Sequence, residues 1–366
     1  MKRPITIAVT AIAAIALLAG CSTGAEQAAS SGAKSAKDLK GTVTFLLPNS
    51  TTVRFNDHDA PSFIAAMKKL APGVKVDVQD ANNDQSRQLT QAETAISKQT
   101  LGIVLTAADP SLSGSILAKA ADANIPVVGY EHEALNGTAA YQVIFDPIKV
   151  GEAQGTYFAG HLPTAASGGV INIARIYGNK GDNYTIGVKK GQDESIDKLV
   201  KDGKVKVVCE DYATNWDPVN AQQIAEQCLT KTGNKVDAII TSNDGTAQGA
   251  IAAVEGQNLS TPVYGGQDAN LEALRFILQG KQQDTVFKDF AKEGEVAAQL
   301  MVDALTGKKA SKSLINGTYD NKSMKVPAAY LDVQSVDADN MQVIVDAKLY
   351  TKDALCKGLT GVTFCG

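Results

Sequence analysis

Polar and aromatic side chains are concentrated in the segments that directly follow the expected strands of this 366-residue chain. The charged and amide groups among them supply hydrogen-bond donors as well as acceptors. Each hydroxyl of a sugar both donates and accepts, and the C–H faces of a sugar ring are apolar and pack on aromatic rings. These residue types therefore predict a site for a sugar or a related polyol. The candidate ligand-binding residues are Arg54, Phe55, Glu131, His132, Asp182, Asn183, Trp216, Asn243, Asp268 and Lys288.

The charged members of this set predict a selective site. A hydrogen bond to a charged group contributes about 1.5–3 kcal/mol, and leaving such a group unpaired costs about as much. A sugar with one hydroxyl in the wrong orientation would leave a charged partner unsatisfied. We therefore expect sharp discrimination between stereoisomers.

Some residues in these segments have simpler interpretations. Asp109 precedes small residues and is interpreted as a helix cap. His132, taken alone, would be a surface or otherwise satisfied histidine, and Tyr177 and Tyr184 could lie at the surface. A lone tryptophan is more often part of a core, but Trp216 lies between polar residues and outside any apolar run, which favours the site.

The elements that must position these residues alternate along the chain. Short β-branched runs such as 41–47 and 102–106 predict strands, and stretches such as 85–98 carry apolar residues at helical spacing. Strands that alternate with helices indicate parallel sheets built from βαβ units. In such sheets ligands bind beyond the carboxyl ends of the strands, where the candidate residues occur.

The two halves of the chain also resemble each other. Residues 102–109 align with residues 237–244, so that Asp109 corresponds to Asp244 at an offset of 135 residues. A repeat of this length indicates a duplicated domain rather than a solenoid. Two facing α/β domains would form a cleft lined from both sides.

The N-terminus has the pattern of an export signal. A basic start precedes a short apolar run, 5–19, which is too short to be a standing membrane helix. The run ends in Leu-Ala-Gly-Cys, which resembles the bacterial lipobox, although a chance cysteine after an ordinary signal is the alternative. We therefore expect residues 1–20 to be removed and Cys21 to be acylated. Residues 21–40 are rich in Ser, Ala, Gly and Lys and predict a flexible tether.

Four cysteines remain once Cys21 is acylated, and an even number in an exported chain indicates disulfides. Of the three pairings, the local one, Cys209–Cys228 with Cys356–Cys365, is the simplest. Buried free thiols are the alternative. Neither pair has Cys-x-x-Cys spacing, which argues against a redox or zinc site.

Charge and motifs exclude several other functions. The formal net charge is −4 and no basic cluster is present, which argues against nucleic-acid binding. The chain contains no Gly-x-Ser-x-Gly elbow, Walker loop, Gly-x-Gly-x-x-Gly or His-Glu-x-x-His motif. We therefore expect no enzyme activity, no cofactor and no metal, although abundant carboxylates leave a carbohydrate-active enzyme formally open.

Four short motifs carry a resemblance to a known family. They are Ser242-Asn243-Asp244, Gly266-Gln267-Asp268-Ala269, Asn215-Trp216-x-Pro218 and Phe145-Asp146-x-x-Lys149. In these motifs the chain resembles the periplasmic D-xylose-binding proteins, within the larger group that binds ribose, galactose and related sugars. The resemblance runs from about residue 41 to about residue 355. It implies a type I periplasmic-binding fold of two Rossmann-like α/β lobes with parallel sheets, joined by a three-strand hinge.

The resemblance also implies domain boundaries. Crossings are expected near Asp146, Gln283 and Lys325. The expected units are an N-lobe of 41–146 plus 284–324, a C-lobe of 147–283 plus 325–350, and a C-terminal tail of 351–366.

Residue roles follow from the same resemblance. It implies sugar contacts from Arg54, Asp182, Asn183, Asn243, Asp268 and Lys288, with Phe55 and Trp216 as stacking rings. The chain departs from the family at Glu131-His132, where an Asp-Arg pair is typical, and at Tyr184, where a second Asn is typical. The guanidinium of Arg is always charged and donates hydrogen bonds in a fixed planar geometry. The imidazole of His offers at most two nitrogens, and its charge changes with pH. The expected ligand is therefore a pentose or hexose that need not be xylose.

The function implied is that of the extracytoplasmic substrate-binding subunit of a sugar ABC importer. It would capture a monosaccharide between its lobes by hinge closure and deliver it to permease subunits in the membrane. The protein is expected to be an exported monomer, lipid-anchored at the outer face of the cytoplasmic membrane or free in the periplasm. A sugar receptor for chemotaxis or for a sensor kinase is the alternative.

Overall fold

The computed structural model describes residues 35–165 and 168–366. The predicted export signal, Cys21 and most of the predicted tether lie outside the described residues. Within these two ranges, no helix is long and apolar enough to cross a membrane.

The described residues form three sheets surrounded by helices. The strands are β1 (Gly41–Leu47), β2 (Val74–Asp80), β3 (Gly102–Leu105), β4 (Val127–Tyr130), β5 (Tyr141–Phe145), β6 (Ile171–Tyr177), β7 (Val205–Tyr212), β8 (Ala238–Thr241), β9 (Val263–Gly265), β10 (Thr285–Lys288), β11 (Gly317–Asp320), β12 (Lys325–Leu331) and β13 (Val333–Val336). The helices are α1 (Ala60–Leu70), α2 (Gln85–Ser97), α3 (Gly114–Asp122), α4 (Pro147–Gly160), α5 (Asn183–Lys201), α6 (Pro218–Thr232), α7 (Asp244–Gly256), α8 (Leu271–Leu278), α9 (Phe290–Thr306), α10 (Gln342–Asp346) and α11 (Lys352–Cys356).

Both large sheets are parallel, as the alternation of strands and helices predicts. The first has the order β11-β12-β5-β4-β3-β1-β2, and only β11 is antiparallel to its neighbour. The second has the order β7-β6-β8-β9 and is parallel throughout. We call the first sheet with its helices the first lobe and the second sheet with its helices the second lobe.

The small third sheet corrects two predicted boundaries. Its strands β10 and β13 pair antiparallel, and a bridge from Gln267 to Val286 attaches β10 to the second lobe. The chain therefore returns to the first lobe after Lys288 rather than near Gln283. The crossing predicted near Lys325 is also wrong, because β12 pairs with β5 and stays in the first sheet through Leu331. Hydrogen-bond partners decide which sheet a short apolar strand joins, and local sequence does not encode them.

Each lobe has its own core. In the first lobe the ring of Phe45 lies between Phe63 and Tyr130, at centroid distances of 5.3 and 5.1 Å. In the second lobe α4 and α5 pack closely because Gly151 faces the neighbouring backbone. A Cβ atom on Gly151 would lie only 2.0 Å from the carbonyl oxygen of Val188.

The C-terminal tail packs against the second lobe. Leu355 is fully buried in a cluster with Leu274 of α8 and Phe287 of β10. The guanidinium of Arg275 donates to the carbonyl oxygen of Ala354 at 2.8 Å. Beyond the end of the resemblance, Cys356, Leu359 and Phe364 pack against the same cluster, so the tail is part of the described fold.

The described residues contain two disulfides, with the local pairing expected from the sequence. Cys209 of β7 bonds Cys228 of α6 with a Cα separation of 6.0 Å. Cys356 bonds Cys365 within the tail with a Cα separation of 5.4 Å. Both separations fall in the range that disulfide geometry requires.

Replacing Cys209 and Cys228 with alanine is expected to lower the free energy of unfolding by about 3 kcal/mol. The bond closes a loop with a sequence separation of 19, and its loss releases that constraint in the unfolded chain. Urea unfolding of the double variant measures the effect. A Cys356→Ala/Cys365→Ala protein is the matched control, and its shorter separation of 9 predicts a smaller loss. A Cys209/Cys228 variant as stable as the wild type would refute the prediction.

Candidate functional site

The predicted ligand-binding residues converge on one region between the carboxyl ends of the two parallel sheets. Eight of the ten line a small cavity of about 30 Å³, space for about two waters. Asp182 and Asn183 line an adjoining cavity of about 390 Å³, which shares Asn49, His132 and Trp216 with the small one. The structure therefore brings together residues from both lobes that are up to 234 positions apart in sequence, from Arg54 to Lys288.

Arg54 is the centre of a buried ion-pair network in the first lobe. A π-helical turn, Phe55–Asp59, leads from Arg54 into α1 and brings Asp59 back beside it. The guanidinium donates to both carboxylate oxygens of Asp59 at 2.7 Å, to Glu131 at 2.7 Å and to Glu293 at 2.6 Å. It also lies 4.1 Å from the ring centroid of Phe290. These contacts fix the fork of Arg54 in one orientation.

Lys288 links the two lobes at the end of β10. Its ammonium lies 2.5 Å from Glu131, which follows β4, and 2.8 Å from Asp268, which follows β9. It also donates to Gln267 at 2.8 Å. Arg54 adds a longer contact of 3.6 Å to Asp268, so that cations and carboxylates alternate across the cleft.

The pKa values of the two glutamates beside Arg54 are shifted in opposite directions. Burial alone would raise the pKa of Glu131, but Arg54 and Lys288 hold it at about 2. Burial raises the pKa of Glu293 well above its usual range in spite of the nearby Arg54. Glu131 therefore stays an anion that only accepts hydrogen bonds from these two cations.

Trp216 forms one aromatic wall. Its indole nitrogen donates to Asp182 at 3.2 Å, and Asp182 also caps α5 by accepting from the backbone N–H of Tyr184. The indole packs so closely on Gly178 that a Cβ atom there would lie 2.3 Å from the ring. The interpretation of Trp216 as a cleft residue agrees with this position, and any larger residue at Gly178 would displace the ring.

The remaining predicted residues have local anchors. The Nδ1 atom of His132 donates to the carbonyl oxygen of Ala107 at 2.9 Å, and its ring lies edge-on to Phe55. Asn243 caps α7 in a reciprocal capping box with Thr246. Asp109, interpreted from the sequence as a cap, accepts from the backbone N–H of Ser111.

Sequence reasoning missed some residues at the site and left the position of Tyr184 open. The suggestion that Tyr184 could lie at the surface is wrong, because it is 2 % exposed and lines the small cavity. Asn49, Thr52 and Gln267 line the small cavity as well. Each of them follows the end of a strand, and this position in the sequence could have identified them as site residues. Asp59 and Glu293 contact Arg54 from behind, and no local pattern marks them.

Two buried carboxyls lie behind the site in the second lobe. Asp244 accepts from the hydroxyl of Thr285 at 2.6 Å and from the backbone of Asn270 at 2.8 Å. Asp284 accepts from the backbone of Gly265 at 2.8 Å. Burial raises the pKa of each to about 8. Both therefore stabilise the fold in the protonated form.

The free energy of unfolding should fall between pH 5 and pH 8. Asp244 and Asp284 bind protons more tightly in the folded protein than in the unfolded chain, so their contribution is complete below about pH 4 and is lost as the pH rises through about 8. Each group can contribute up to about 1.4 kcal/mol per pH unit across that window. Urea unfolding at several pH values should give a smaller slope for Asp284→Asn than for the wild type. An equal slope for the two proteins would contradict this.

Comparison with known proteins gives a consistent result. A model of the periplasmic binding protein domain matches residues 43–309. The D-xylose-binding periplasmic protein of Haemophilus influenzae is 34% identical over 290 residues, covering 79% of this chain and 85% of the relative. That of Escherichia coli K12 is 32% identical over 287 residues, covering 78% and 83%.

A solved structure is similar over most of its length. An ABC transporter solute-binding protein from Clostridium phytofermentans with bound β-D-glucose is 27% identical, with a TM-score of 0.76. The match covers 86% of this chain and 99% of that protein.

Proposed function

This chain belongs to the periplasmic binding protein family, and from that premise we propose that it is the extracytoplasmic substrate-binding subunit of a sugar ABC importer. The observation that carries the proposal is the convergence of charged, amide and aromatic side chains from both lobes on one small cavity. Relatives named for D-xylose and a similar protein with bound glucose support a monosaccharide as the ligand.

The polar groups of the cavity suit a neutral sugar. Lys288 and Arg54 supply charged donors, and Glu131 and Asp268 supply charged acceptors. Trp216 offers an apolar face of the kind that packs on sugar C–H groups. Because these charges already pair with one another, the site carries little unbalanced charge toward the ligand. A neutral polyol can insert its hydroxyls between them, each donating to a carboxylate and accepting from a cation.

The proposed mechanism is closure around the sugar. The hinge consists of the connections near residues 146–147, 288–290 and 331–333. Sugar held by Arg54 and Glu131 of the first lobe would recruit Asp268 and Lys288 of the second, and the closed form would engage the permease. The sugar leaves chemically unchanged in this scheme.

A thermal-shift panel of neutral monosaccharides tests the proposal. A ligand present at 100 times its Kd stabilises the folded protein by about 2.7 kcal/mol. At least one pentose or hexose should therefore raise the melting temperature clearly, whereas amino acids and inorganic anions should not. A panel in which only amino acids or anions stabilise the protein would reject the sugar site.

The proposal includes an anchor at Cys21, which rests on the lipobox-like sequence Leu-Ala-Gly-Cys. A diacylglycerol-modified Cys21 would hold the monomeric receptor at the outer face of the cytoplasmic membrane. Cys21→Ser should move the protein from the membrane fraction to the soluble fraction, and intact mass of the extracted wild type should include the lipid. A Cys21→Ser protein that stays with the membrane would exclude the anchor but leave the sugar site unaffected.

A further inference from the structure

Tyr184 takes up part of the inner cavity. It stands in the first turn of α5, one residue beyond Asn183, and its side chain is buried between the two lobes. Its ring centroid lies 6.3 Å from that of His132 and 6.4 Å from that of Trp216. All three rings line the cavity of about 30 Å³, so the bulk of Tyr184 directly limits the space beside them.

The hydroxyl of Tyr184 is held at both sides. It donates to the side-chain oxygen of Gln267 at 3.1 Å and accepts from Lys288 at 3.3 Å. Gln267 is itself fixed, because its amide donates to the carbonyl oxygen of Ser242 at 3.0 Å. Swinging the ring away would leave Gln267 and Lys288 each with one hydrogen-bond partner fewer in a buried site, which is unfavourable. The ring therefore resists displacement by a ligand.

We infer that Tyr184 is a size filter that restricts the site to pentopyranoses, whose rings carry no hydroxymethyl group. The inference rests on the proposed function and names the class of monosaccharide within it. A hexopyranose adds one CH₂OH group to the same ring, which increases the volume that must fit in a cavity bounded by these three anchored side chains. Even one extra carbon in a closed pocket changes binding by about 10–200-fold.

The test compares sugars that differ only in the hydroxymethyl group. Three matched pairs are D-xylose with D-glucose, L-arabinose with D-galactose, and D-ribose with D-allose. Isothermal titration calorimetry gives the ratio of hexose Kd to pentose Kd within each pair, so the result does not depend on which ring configuration the site prefers. For the wild type, we expect a ratio of at least about 10 in the pair that binds best.

Two truncations of Tyr184 should lower that ratio to about 3 or less, namely Tyr184→Ala and the more conservative Tyr184→Leu. Tyr184→Phe keeps the ring and removes the hydroxyl, so it should weaken both sugars and keep the ratio near the wild-type value. Tyr212→Ala, on a half-buried tyrosine outside the cavity, is the matched control and should leave both Kd values unchanged.

Two results would overturn the size filter. One is a wild-type protein that binds the hexose of its best pair as tightly as the pentose. The other is a ratio that persists in every folded truncation variant. Both leave the proposed sugar binding intact, whereas a wild type that binds none of the six sugars while binding other small molecules would reject the sugar site itself.

Discussion

Replacing Lys288 with methionine should weaken sugar binding about 100-fold, equivalent to about 2.7 kcal/mol. The ammonium contacts Glu131 from the first lobe and Asp268 from the second, and all three side chains are buried. Methionine is one atom shorter and likewise unbranched, and it lacks the ammonium group with its three N–H donors. The variant loses a charge-assisted contact to the sugar, and it also leaves two carboxylates facing each other across the closing cleft.

Titration calorimetry of the wild type and Lys288→Met measures this effect. Lys281→Met is the matched control, because Lys281 forms an exposed ion pair with Glu255 at 2.8 Å, and such pairs contribute little. We expect the control to bind sugar as tightly as the wild type. A loss of less than about threefold for Lys288→Met would mean that the lysine is not part of the binding contact.

Replacing Arg54 with methionine should lower the free energy of unfolding by about 3–5 kcal/mol. Arg54 is buried and pairs with Asp59, Glu131 and Glu293. Removing one cation from a buried network leaves the carboxylates desolvated and uncompensated. The loss should therefore far exceed that of an exposed arginine such as Arg87, whose replacement by methionine is the control.

A double variant separates charge from packing in this network. If uncompensated charge is the cause, Arg54→Met combined with Asp59→Asn should be more stable than Arg54→Met alone, since the second change removes one unpaired carboxylate. Urea unfolding of the wild type, of Arg54→Met, of Asp59→Asn and of the double variant gives the comparison. An Arg54→Met protein as stable as Arg87→Met, or a double variant with fully additive losses, would show that the network does not stabilise the fold in this way.

The residues that sequence reasoning located share a local signal. Asp182, Trp216 and Asn243 each follow a predicted strand and precede a helix, so their place in the chain specifies their place at the sheet edge. The parallel sheets follow from the same alternation. The resemblance to the D-xylose-binding proteins then implied that these residues contact the sugar or stack on it, which their spacing alone does not indicate.

The residues that sequence reasoning missed depend on distant packing. Glu293 reaches Arg54 only because α9 lies beside α1, and the two residues are 239 positions apart. Asp59 reaches it through a π-helical turn that no pattern marked. Tyr184 stands in the first turn of α5, and it is held in the cavity by Gln267 and Lys288, which lie 83 and 104 positions further along the chain. The two wrong lobe boundaries have the same origin, because the strands with which β10 and β12 pair decide the lobe to which each belongs.

Tryptophan fluorescence tests the binding site most directly. Trp216 is the only tryptophan of the chain, and its ring lines the cavity. A monosaccharide that binds in the cleft should change the emission of Trp216 in a saturable way, with the same Kd that calorimetry gives for that sugar. A stereoisomer that calorimetry shows not to bind should leave the emission unchanged. Calorimetric binding of a sugar with no change in Trp216 emission would contradict a site in this cleft.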